Sequence, residues 1–233
     1  MEFKSFADQV NTSKQDYCLE LFASKRKSFQ IKKEKTIAKN LEKIFNTALK
    51  ISNEKGFHAM SMRDLSKAAG LSIGALYNYF SGKEELLHMM QQQRRTITRR
   101  MLASRIATVD TPAEQLAMAI RTHLYLSEAM QPWFYFSYME AKNLDPKERR
   151  ASVQGELKTE ELFADILEKG VEQGVFDTSD CLMTASLIKA MLQDWYLKRP
   201  KYARRKISVD HYCQYLIAFL EKNLMVGASD GIS

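Results

Sequence analysis

Six residues between Ser72 and Tyr79 have the short or flat side chains that suit entry into the major groove of DNA: Ser72, Ile73, Gly74, Tyr77, Asn78 and Tyr79. On a helix that begins at Ser72, these residues share the face that points away from the core. Gly74 is unfavourable inside a helix by about 1 kcal/mol relative to alanine. Close approach of the helix backbone to DNA is a reason to tolerate it.

The segment that must position these residues is SMRDLSKAAGLSIGALYNYF, residues 61–80. It predicts a helix over 62–68 capped by Ser61, a tight turn at 69–71 and a second helix over 72–79. The residues predicted to pack the two helices together are Leu65, Ala68, Leu71, Leu76 and Phe80. This length and turn chemistry are typical of a DNA-binding helix-turn-helix.

The charge distribution agrees with a nucleic acid partner. Residues 25–105 contain 18 lysines and arginines against 6 aspartates and glutamates, although the net charge of the whole chain is only +7. The remainder of the chain is therefore net acidic. A basic segment on an acidic remainder indicates that the segment binds a polyanion, most commonly nucleic acid.

Apolar residues recur at three- and four-residue spacing along the chain, which predicts an all-α fold of about nine helices. The first helix is predicted over 33–54 and ends at Gly56, and a long helix is predicted over 83–107. The remaining five are predicted at 112–129, 132–142, 147–172, 179–198 and 208–224. Each of the four prolines falls where such a helix begins or ends.

The residues around the turn resemble the N-terminal signature of the TetR family of transcription regulators. The matching positions are Ser61, Leu65, Ala69, Gly70, Leu71, Ser72, Gly74, Leu76, Tyr77, Tyr79, Phe80, Lys83 and Leu86. Ser66 departs from the signature, in which alanine is usual. The resemblance covers about residues 37–87 and implies a dimeric, ligand-responsive regulator, usually a repressor, that binds a palindromic DNA operator.

The resemblance also implies individual roles. Tyr77, Tyr79 and Lys83 are expected to contact phosphate, Lys83 together with the N-terminus of the helix that it begins. Ser61, Met62 and Arg63 are expected at phosphates or at the groove edge, and the base-facing candidates are Ser72, Ile73, Gly74 and Asn78. Only Ser72 and Asn78 among these four can hydrogen-bond a base through the side chain. For Tyr77 and Tyr79, ordinary core packing is the alternative.

The resemblance divides the chain into an N-terminal extension (1–32), a three-helix DNA-binding domain (33–82), a helical ligand-binding and dimerisation domain (83–226) and a tail (227–233). Homodimerisation is expected through the predicted helices 179–198 and 208–224. The expected effector is a small hydrophobic molecule, with a fatty acyl compound as the leading choice. The candidate ligand-binding residues are Met90, Ile97, Met101, Leu116, Ile120, Leu124, Trp133, Phe134, Phe136 and Tyr138. Ordinary core packing is the alternative for each.

Two basic stretches leave alternatives open. At the end of the N-terminal extension and the start of the first predicted helix, an arm that contacts DNA could be formed by Lys25, Arg26, Lys27, Lys32, Lys33 and Lys35. The alternative for the extension is a solvated tail or an extra helix. The stretch KRPKYARRK, residues 198–206, is predicted to be a solvated loop. Its alternative is a site for a phosphate-bearing ligand or for nucleic acid.

Other classes of protein have weaker support. The four histidines are scattered, and no HExxH, CxxC, GxxxxGK[ST] or GxSxG motif occurs, so no catalytic residue, metal or cofactor is expected. No apolar run is long enough for a membrane helix or a secretory signal, which favours a cytoplasmic protein. Cys18, Cys181 and Cys213 are expected to be reduced, buried thiols, with a redox sensor at Cys181 and Cys213 as the alternative. The remote alternative is a basic, surface-binding helical protein without a regulatory role.

Overall fold

The computed structural model describes residues 2–10 and 31–227, with side chains for residues 2–10 and 36–227. Within these residues the regular elements are helices, and an isolated bridge joins Phe176 to Met225. The predicted all-α fold is confirmed. None of the helices in the described part of the chain is long and apolar enough to cross a membrane.

The described residues contain eleven α-helices and one 3-10 helix. In chain order they are α1 (residues 3–10), α2 (Ile31–Lys55), α3 (Met62–Ala69), α4 (Ile73–Tyr77), α5 (Lys83–Ile106), α6 (Pro112–Ala129), α7 (Gln131–Glu140), the 3-10 helix Ala141–Asn143, α8 (Pro146–Glu172), α9 (Cys181–Leu197), α10 (Arg199–Arg204) and α11 (Val209–Leu224). All nine predicted helices are present, and their ends fall within two residues of the prediction.

Two helices were not among the nine predicted. Residues 3–10 form the extra helix that was one alternative for the N-terminal extension. Phe6 on α1 is fully buried and packs edge-to-face against Tyr125, with the ring centroids 5.7 Å apart. Some of the predicted features lie outside the described residues: the basic residues Lys25, Arg26 and Lys27, the side chains of Lys32, Lys33 and Lys35, Cys18, and the tail beyond residue 227.

The prediction of a solvated loop over 198–206 is wrong, because Arg199–Arg204 form α10. Pro200 in the first turn favours a helix start, and interactions that are distant in sequence hold the helix in place. Arg199 makes a two-pronged ion pair with Glu128 on α6, at 2.9 and 3.0 Å, and its guanidinium stacks on Trp195. Tyr202 is buried. Arg204, Arg205 and Lys206 remain exposed.

The chain forms two compact units, each discontinuous in sequence. We call the first, which consists of the described residues within 8–97 and 132–149, the N-terminal unit. The second, the C-terminal unit, consists of the described residues within 1–7, 98–131 and 150–233. The boundary falls inside α5, and α7 belongs to the N-terminal unit although it lies far along the chain. The predicted boundary at residue 83, between a DNA-binding and a ligand-binding domain, stays a prediction, because the compact units are defined by packing and not by function.

The core of the N-terminal unit forms where α2 packs on the two short helices. Its fully buried side chains include Leu41, Ile44, Phe45, Leu65 and Leu76. Aromatic residues of α7 complete it, because Trp133 packs edge-to-face on Phe45 at 5.6 Å and Phe136 packs on Phe57 at 5.5 Å. These contacts fix α2, and with it the short helices, to an element some 80 residues away in sequence.

In the C-terminal unit, the loop after α8 folds back on its own helix and on the end of α11. Asp177 N donates to the carbonyl of Leu224 at 2.7 Å, and Val226 N donates to the carbonyl of Val175 at 3.1 Å. The ring of Phe176 then lies directly against the backbone of Gly170, where a Cβ would come within 2.0 Å of it. Only glycine fits at this position of α8.

Candidate DNA-binding surface

The first short helix, α3, begins with a complete capping box. Ser61 Oγ accepts from Asp64 N at 3.1 Å, and Asp64 Oδ2 accepts from Ser61 N at 2.9 Å. Lys55 Nζ also donates to Asp64 at 2.9 Å. These hydrogen bonds, above all the one from the Ser61 amide, hold the pKa of the Asp64 carboxyl well below its ordinary value. The predicted N-cap is confirmed, and α3 is tied to the end of α2.

The turn between α3 and α4 depends on Gly70, whose φ of +59° lies in the left-handed region that favours glycine. Gly70 N donates to the carbonyl of Lys67, and Leu71 N donates to that of Ser66. Ser66 closes the turn from the other side, because its Oγ donates to the carbonyl of Leu71 at 2.6 Å. The one departure from the family signature therefore contributes a hydrogen bond that an alanine would lack.

The helix α4 and its two cap residues present five of the six predicted groove-facing residues to solvent, and the sixth, Tyr79, is half-buried. Ser72 caps it by accepting from Ala75 N at 3.1 Å, as predicted. Leu76 is fully buried, while Ile73 is 37% exposed and Tyr77 is 49% exposed. Gly74 and Asn78 are also exposed, and a Cβ on Gly74 would meet nothing within 4 Å. The alternative that Tyr77 is a core residue therefore has no support from its exposure.

Three of the five residues predicted to pack the two helices together are buried: Leu65, Leu76 and Phe80. Leu71 is half-buried. The prediction for Ala68 is wrong, because this residue is exposed and Ala69 is the one that is fully buried. The two differ by about 100° around the helix, and Ala69 is the one that lies a full turn after Leu65, on the buried side of α3.

Two phosphate candidates are engaged by other residues of the N-terminal unit. Tyr79 is half-buried, and its hydroxyl accepts from Asn40 Nδ2 on α2 at 2.8 Å. Lys83 Nζ donates to the carbonyl of His58 at 2.7 Å and lies 5.4 Å from the centre of the Phe57 ring. An ammonium has three donors, so Lys83 can reach an anion without leaving His58. These contacts orient both side chains in advance.

The surface around α4 includes a basic residue of α2, Lys43, that the motif did not single out. Lys43 is exposed, and its Nζ lies 3.5 Å from the position that a Cβ of Gly70 would occupy, directly over the turn. Arg63 at the start of α3 is exposed, Ser61 is exposed and Met62 is half-buried. The three-residue spacing of Asn40 and Lys43 was the available signal, since it places both on one face of α2.

The ten candidate ligand-binding residues fall into both compact units. Four of them are buried in the C-terminal unit: Met101, Leu116, Ile120 and Leu124. Five are buried in the N-terminal unit: Met90, Ile97, Trp133, Phe134 and Phe136. Of these five, Trp133 and Phe136 make the core contacts described above. Tyr138 is 49% exposed. For Trp133 and Phe136, core packing is directly observed, while a contact with a ligand stays a prediction.

A small cleft lies between α6 and α11 in the C-terminal unit. It holds about 250 Å³ of empty space, part of it open to solvent, and its lining includes Leu116, Ile120, Phe176, Ile217 and Leu220. Ligand pockets usually enclose about 300–1,000 Å³. This cleft is therefore too small and too open to enclose a typical effector. Among the described residues, no group of three or more histidines, cysteines or acids is placed to hold a metal ion.

The two described cysteines lie in surroundings that lower their reactivity. Cys213 on α11 is buried, and burial raises the pKa of its thiol. Burial also raises the pKa of Cys181 at the start of α9, helped by the nearby charges of Glu168 and Asp180. Since the thiolate is the reactive form, both residues are poor candidates for a redox sensor.

Comparison with known protein families gives two matches that together cover most of the chain. Residues 44–90 match the family described as bacterial regulatory proteins, tetR family. Residues 109–218 match the tetracyclin repressor-like C-terminal domain. The first match contains the whole helix-turn-helix, and the second contains most of the C-terminal unit.

Individual relatives agree with these family matches. The HTH-type transcriptional regulator HbdR of Aromatoleum sp. (strain CIB) is 19% identical over 187 residues, which cover 80% of this chain and 82% of HbdR. The TetR family transcriptional regulator PfmR of Thermus thermophilus is 28% identical, with a TM-score of 0.65 and 77% and 95% of the two chains covered. AibR, solved with isovaleryl coenzyme A and operator DNA, is 16% identical, with a TM-score of 0.65 and 77% and 97% covered.

Proposed function

The chain belongs to the TetR family of bacterial transcription regulators, and from this we propose that it is an effector-controlled repressor of its target genes. It is a DNA-binding regulator rather than an enzyme, like the relatives that it matches. The observation that carries the proposal is the exposed face of α4, held in place by the caps at Ser61 and Ser72 and by the turn at Gly70. Action on chromosomal DNA would place the protein in the cytoplasm.

In this proposal the residues of the surface divide into two groups. The first group faces the bases and consists of Ser72, Ile73, Gly74 and Asn78. The second group contacts phosphate or the groove edge and consists of Tyr77, Tyr79, Lys83, Ser61, Met62 and Arg63. Lys43, which lies over the turn, adds a further phosphate contact. All of these residues except Met62, Tyr79 and Lys83 are exposed, which supports both groups. Those three are half-buried. Hydrogen bonds orient two of them, Tyr79 with Asn40 and Lys83 with the carbonyl of His58. Of the four base-facing residues, only Ser72 and Asn78 can hydrogen-bond a base through the side chain, so DNA shape contributes to specificity.

The operator would be a palindrome read by a homodimer. Apolar side chains on α9 and α11 are exposed in the single chain, at 60% for Leu187, 59% for Met183, 70% for Tyr215 and 46% for Phe219. Exposed apolar side chains that lie together on two helices indicate a protein interface. A second copy that packs on α9 and α11 would cover them and would place two α4 helices about one DNA turn apart.

The effector we propose is a small hydrophobic molecule, and a fatty acyl compound is the first choice. AibR supports this choice, since that regulator was solved with isovaleryl coenzyme A and operator DNA. Effector binding would favour a conformation in which α5 has moved, and operator affinity would fall. The helix α5 is suited to this role because it begins at Lys83 beside the DNA-binding surface and continues into the C-terminal unit.

Fluorescence anisotropy with DNA that flanks the gene, at controlled salt, tests DNA binding. Lys83→Ala should weaken binding for all sequences alike and should reduce the slope of log affinity against log salt by about 1 for each subunit. Lys158→Ala, which removes an exposed lysine of α8, is the matched control and should change neither quantity. An unchanged salt slope for Lys83→Ala would contradict the phosphate contact.

The same assay tests the effector. Acyl compounds of graded length, both free and as coenzyme A thioesters, should lower operator affinity in a saturable way. If operator binding persists at saturating acyl compound, the acyl choice is wrong. If a compound binds without any change in operator affinity, the proposed coupling through α5 is wrong.

A further inference from the structure

A cluster of buried polar atoms lies between α5 and α7, inside the N-terminal unit. Gln91 on α5 is fully buried, and its Nε2 donates to the carbonyl of Ser137 on α7 at 3.2 Å. Gln91 Oε1 and Ser137 Oγ are both buried, and neither has a hydrogen-bond partner among the described residues. More than nine in ten buried polar groups in proteins are hydrogen-bonded, so two unpaired oxygens on contacting residues require an explanation.

Arg95 adds a donor to this cluster, because it lies one helical turn after Gln91 on α5. Its Nη2 donates to Glu148 Oε2 at 3.4 Å, while its buried Nη1 has no partner in the described part of the chain. Glu148 is buried as well and contacts His88 Nδ1 at 2.5 Å. The charge of Arg95 is therefore already balanced by a carboxylate.

The chemistry of a group that would satisfy this cluster follows from the atoms present. Gln91 must direct its Nε2 at the carbonyl of Ser137, so Oε1 is fixed as an acceptor that needs a donor. Arg95 Nη1 is a donor that needs an acceptor, and Ser137 Oγ can serve as either. Only a group with both an acceptor oxygen and a donor hydrogen fits. Since Glu148 balances Arg95, a second negative charge is not required.

The surroundings of the cluster are apolar and aromatic. Trp133 and Phe134 lie one helical turn before Ser137 on the same side of α7, and both are buried. The guanidinium of Arg94 lies 5.4 Å from the centre of the Phe134 ring, which gives α5 and α7 a second contact. A few polar atoms in an apolar, aromatic setting are typical of a small-molecule site.

We propose that Gln91, Ser137 and Arg95 form a subsite for one uncharged polar group, a hydroxyl or a carboxamide, at the end of a mainly apolar ligand. This inference rests on the proposed function, because the ligand concerned is the effector, and it narrows the acyl compounds proposed above to those that carry such a group and not a free carboxylate. The subsite lies two turns along α5 from Lys83, in the same compact unit as the DNA-binding helices. A ligand group held between α5 and α7 would therefore act directly on the helix that begins beside the DNA.

The test uses four probes of similar shape and different polar ends: benzamide, benzyl alcohol, toluene and benzoate. Calorimetry and ligand-observed NMR on the full chain should show saturable binding of benzamide and benzyl alcohol, and weaker binding of toluene and benzoate. Ser137→Ala and Gln91→Met should each weaken benzamide binding by about threefold to tenfold, the effect of one lost hydrogen bond. Ser137→Ala removes a single oxygen and should fold normally.

Thr122→Val is the matched control, because Thr122 is another fully buried residue whose hydroxyl has no partner among the described residues, on α6 of the C-terminal unit. It should leave benzamide binding unchanged. Equal binding of toluene, tighter binding of benzoate, an equal loss in the control, or no binding of benzamide and benzyl alcohol would each overturn the proposal. A crystal structure with benzamide that shows only an ordered water on Gln91 Oε1 and Ser137 Oγ would also overturn it.

Operator binding measured on the same samples separates this proposal from the function on which it rests. If benzamide occupies the subsite and operator affinity is unchanged, the subsite stands and effector control through it fails. If a larger hydrophobic compound releases the operator with equal potency from wild type and Ser137→Ala, the proposed function stands and the subsite fails.

Discussion

Two glycines inside helices show how a single residue type can serve opposite purposes. Gly74 on α4 faces open space, since a Cβ there would meet nothing within 4 Å. Gly170 on α8 is pressed against the ring of Phe176, which a Cβ would approach within 2.0 Å. The first glycine keeps the surface of α4 low, as the proposed close approach to DNA requires, whereas the second leaves room for the protein's own core.

Alanine at each position therefore makes a matched pair of variants. Gly74→Ala should raise the free energy of unfolding by up to about 1 kcal/mol, because alanine favours the helix, and should weaken operator binding. Gly170→Ala should lower the free energy of unfolding by about 1–3 kcal/mol, because the added methyl group overpacks against Phe176. Urea unfolding and operator anisotropy measure the two effects. Full operator affinity in Gly74→Ala would show that α4 does not approach DNA closely at this residue.

The cysteines also belong to the residue scale. In a Cys18→Ser background, Cys181 and Cys213 should react with a thiol reagent at pH 7 more slowly in the folded protein than in urea, because their raised pKa values reduce the thiolate fraction. Cys213 should be the slower of the two, since it is buried. A fast reaction of either folded thiol, accompanied by a change in operator affinity, would restore the redox alternative.

At the scale of single elements, the start of α3 links stability to pH. The pKa of Asp64 is lowered in the folded protein, so the charged carboxylate stabilises the fold above the ordinary aspartate pKa of about 3.9. This stabilisation is lost as the pH falls below that value. Asp64→Asn should therefore lower the melting temperature at pH 7, and the difference from wild type should shrink below about pH 4.

Asp165→Asn, which changes an exposed aspartate of α8, is the control for Asp64 and should change the melting temperature little at either pH. Circular dichroism melts of both variants from pH 3 to pH 7 give the comparison. A difference for Asp64→Asn that does not depend on pH would show that the capping box acts through its geometry and not through the charge.

At the scale of the whole molecule, the central prediction concerns the apolar faces of α9 and α11. Leu187→Glu places a charge in the proposed dimer interface and should give a monomer in analytical ultracentrifugation at micromolar concentration. Operator affinity should fall more than tenfold, because one α4 cannot use both halves of a palindrome. Val153→Glu, on an exposed apolar position of α8, should remain dimeric and bind DNA normally. A dimeric Leu187→Glu protein would place the interface elsewhere.

Much of the DNA-binding half could be predicted from the sequence because its determinants are local. The capping box and the Ser72 cap each join residues three positions apart, and the turn needs a glycine at one position. The prediction failed where a contact partner lies far along the chain. The basic composition of residues 198–206 gave no indication that Arg199 pairs with Glu128, which lies 71 residues away. This ion pair stabilises α10.

The sequence by itself determined the helix-turn-helix, the order of the helices and the family, because hydrophobic periodicity, caps and turn residues act within a few residues of each other. Only the tertiary structure decided which helices share a core. It placed the aromatic residues of α7 against Phe45 and Phe57, so that residues predicted to line a ligand pocket also support the DNA-binding helices. It also brought Gln91 to Ser137 across 46 positions. The physical reason is that an apolar stripe specifies burial without specifying its partner, and the partner is settled by packing the whole chain.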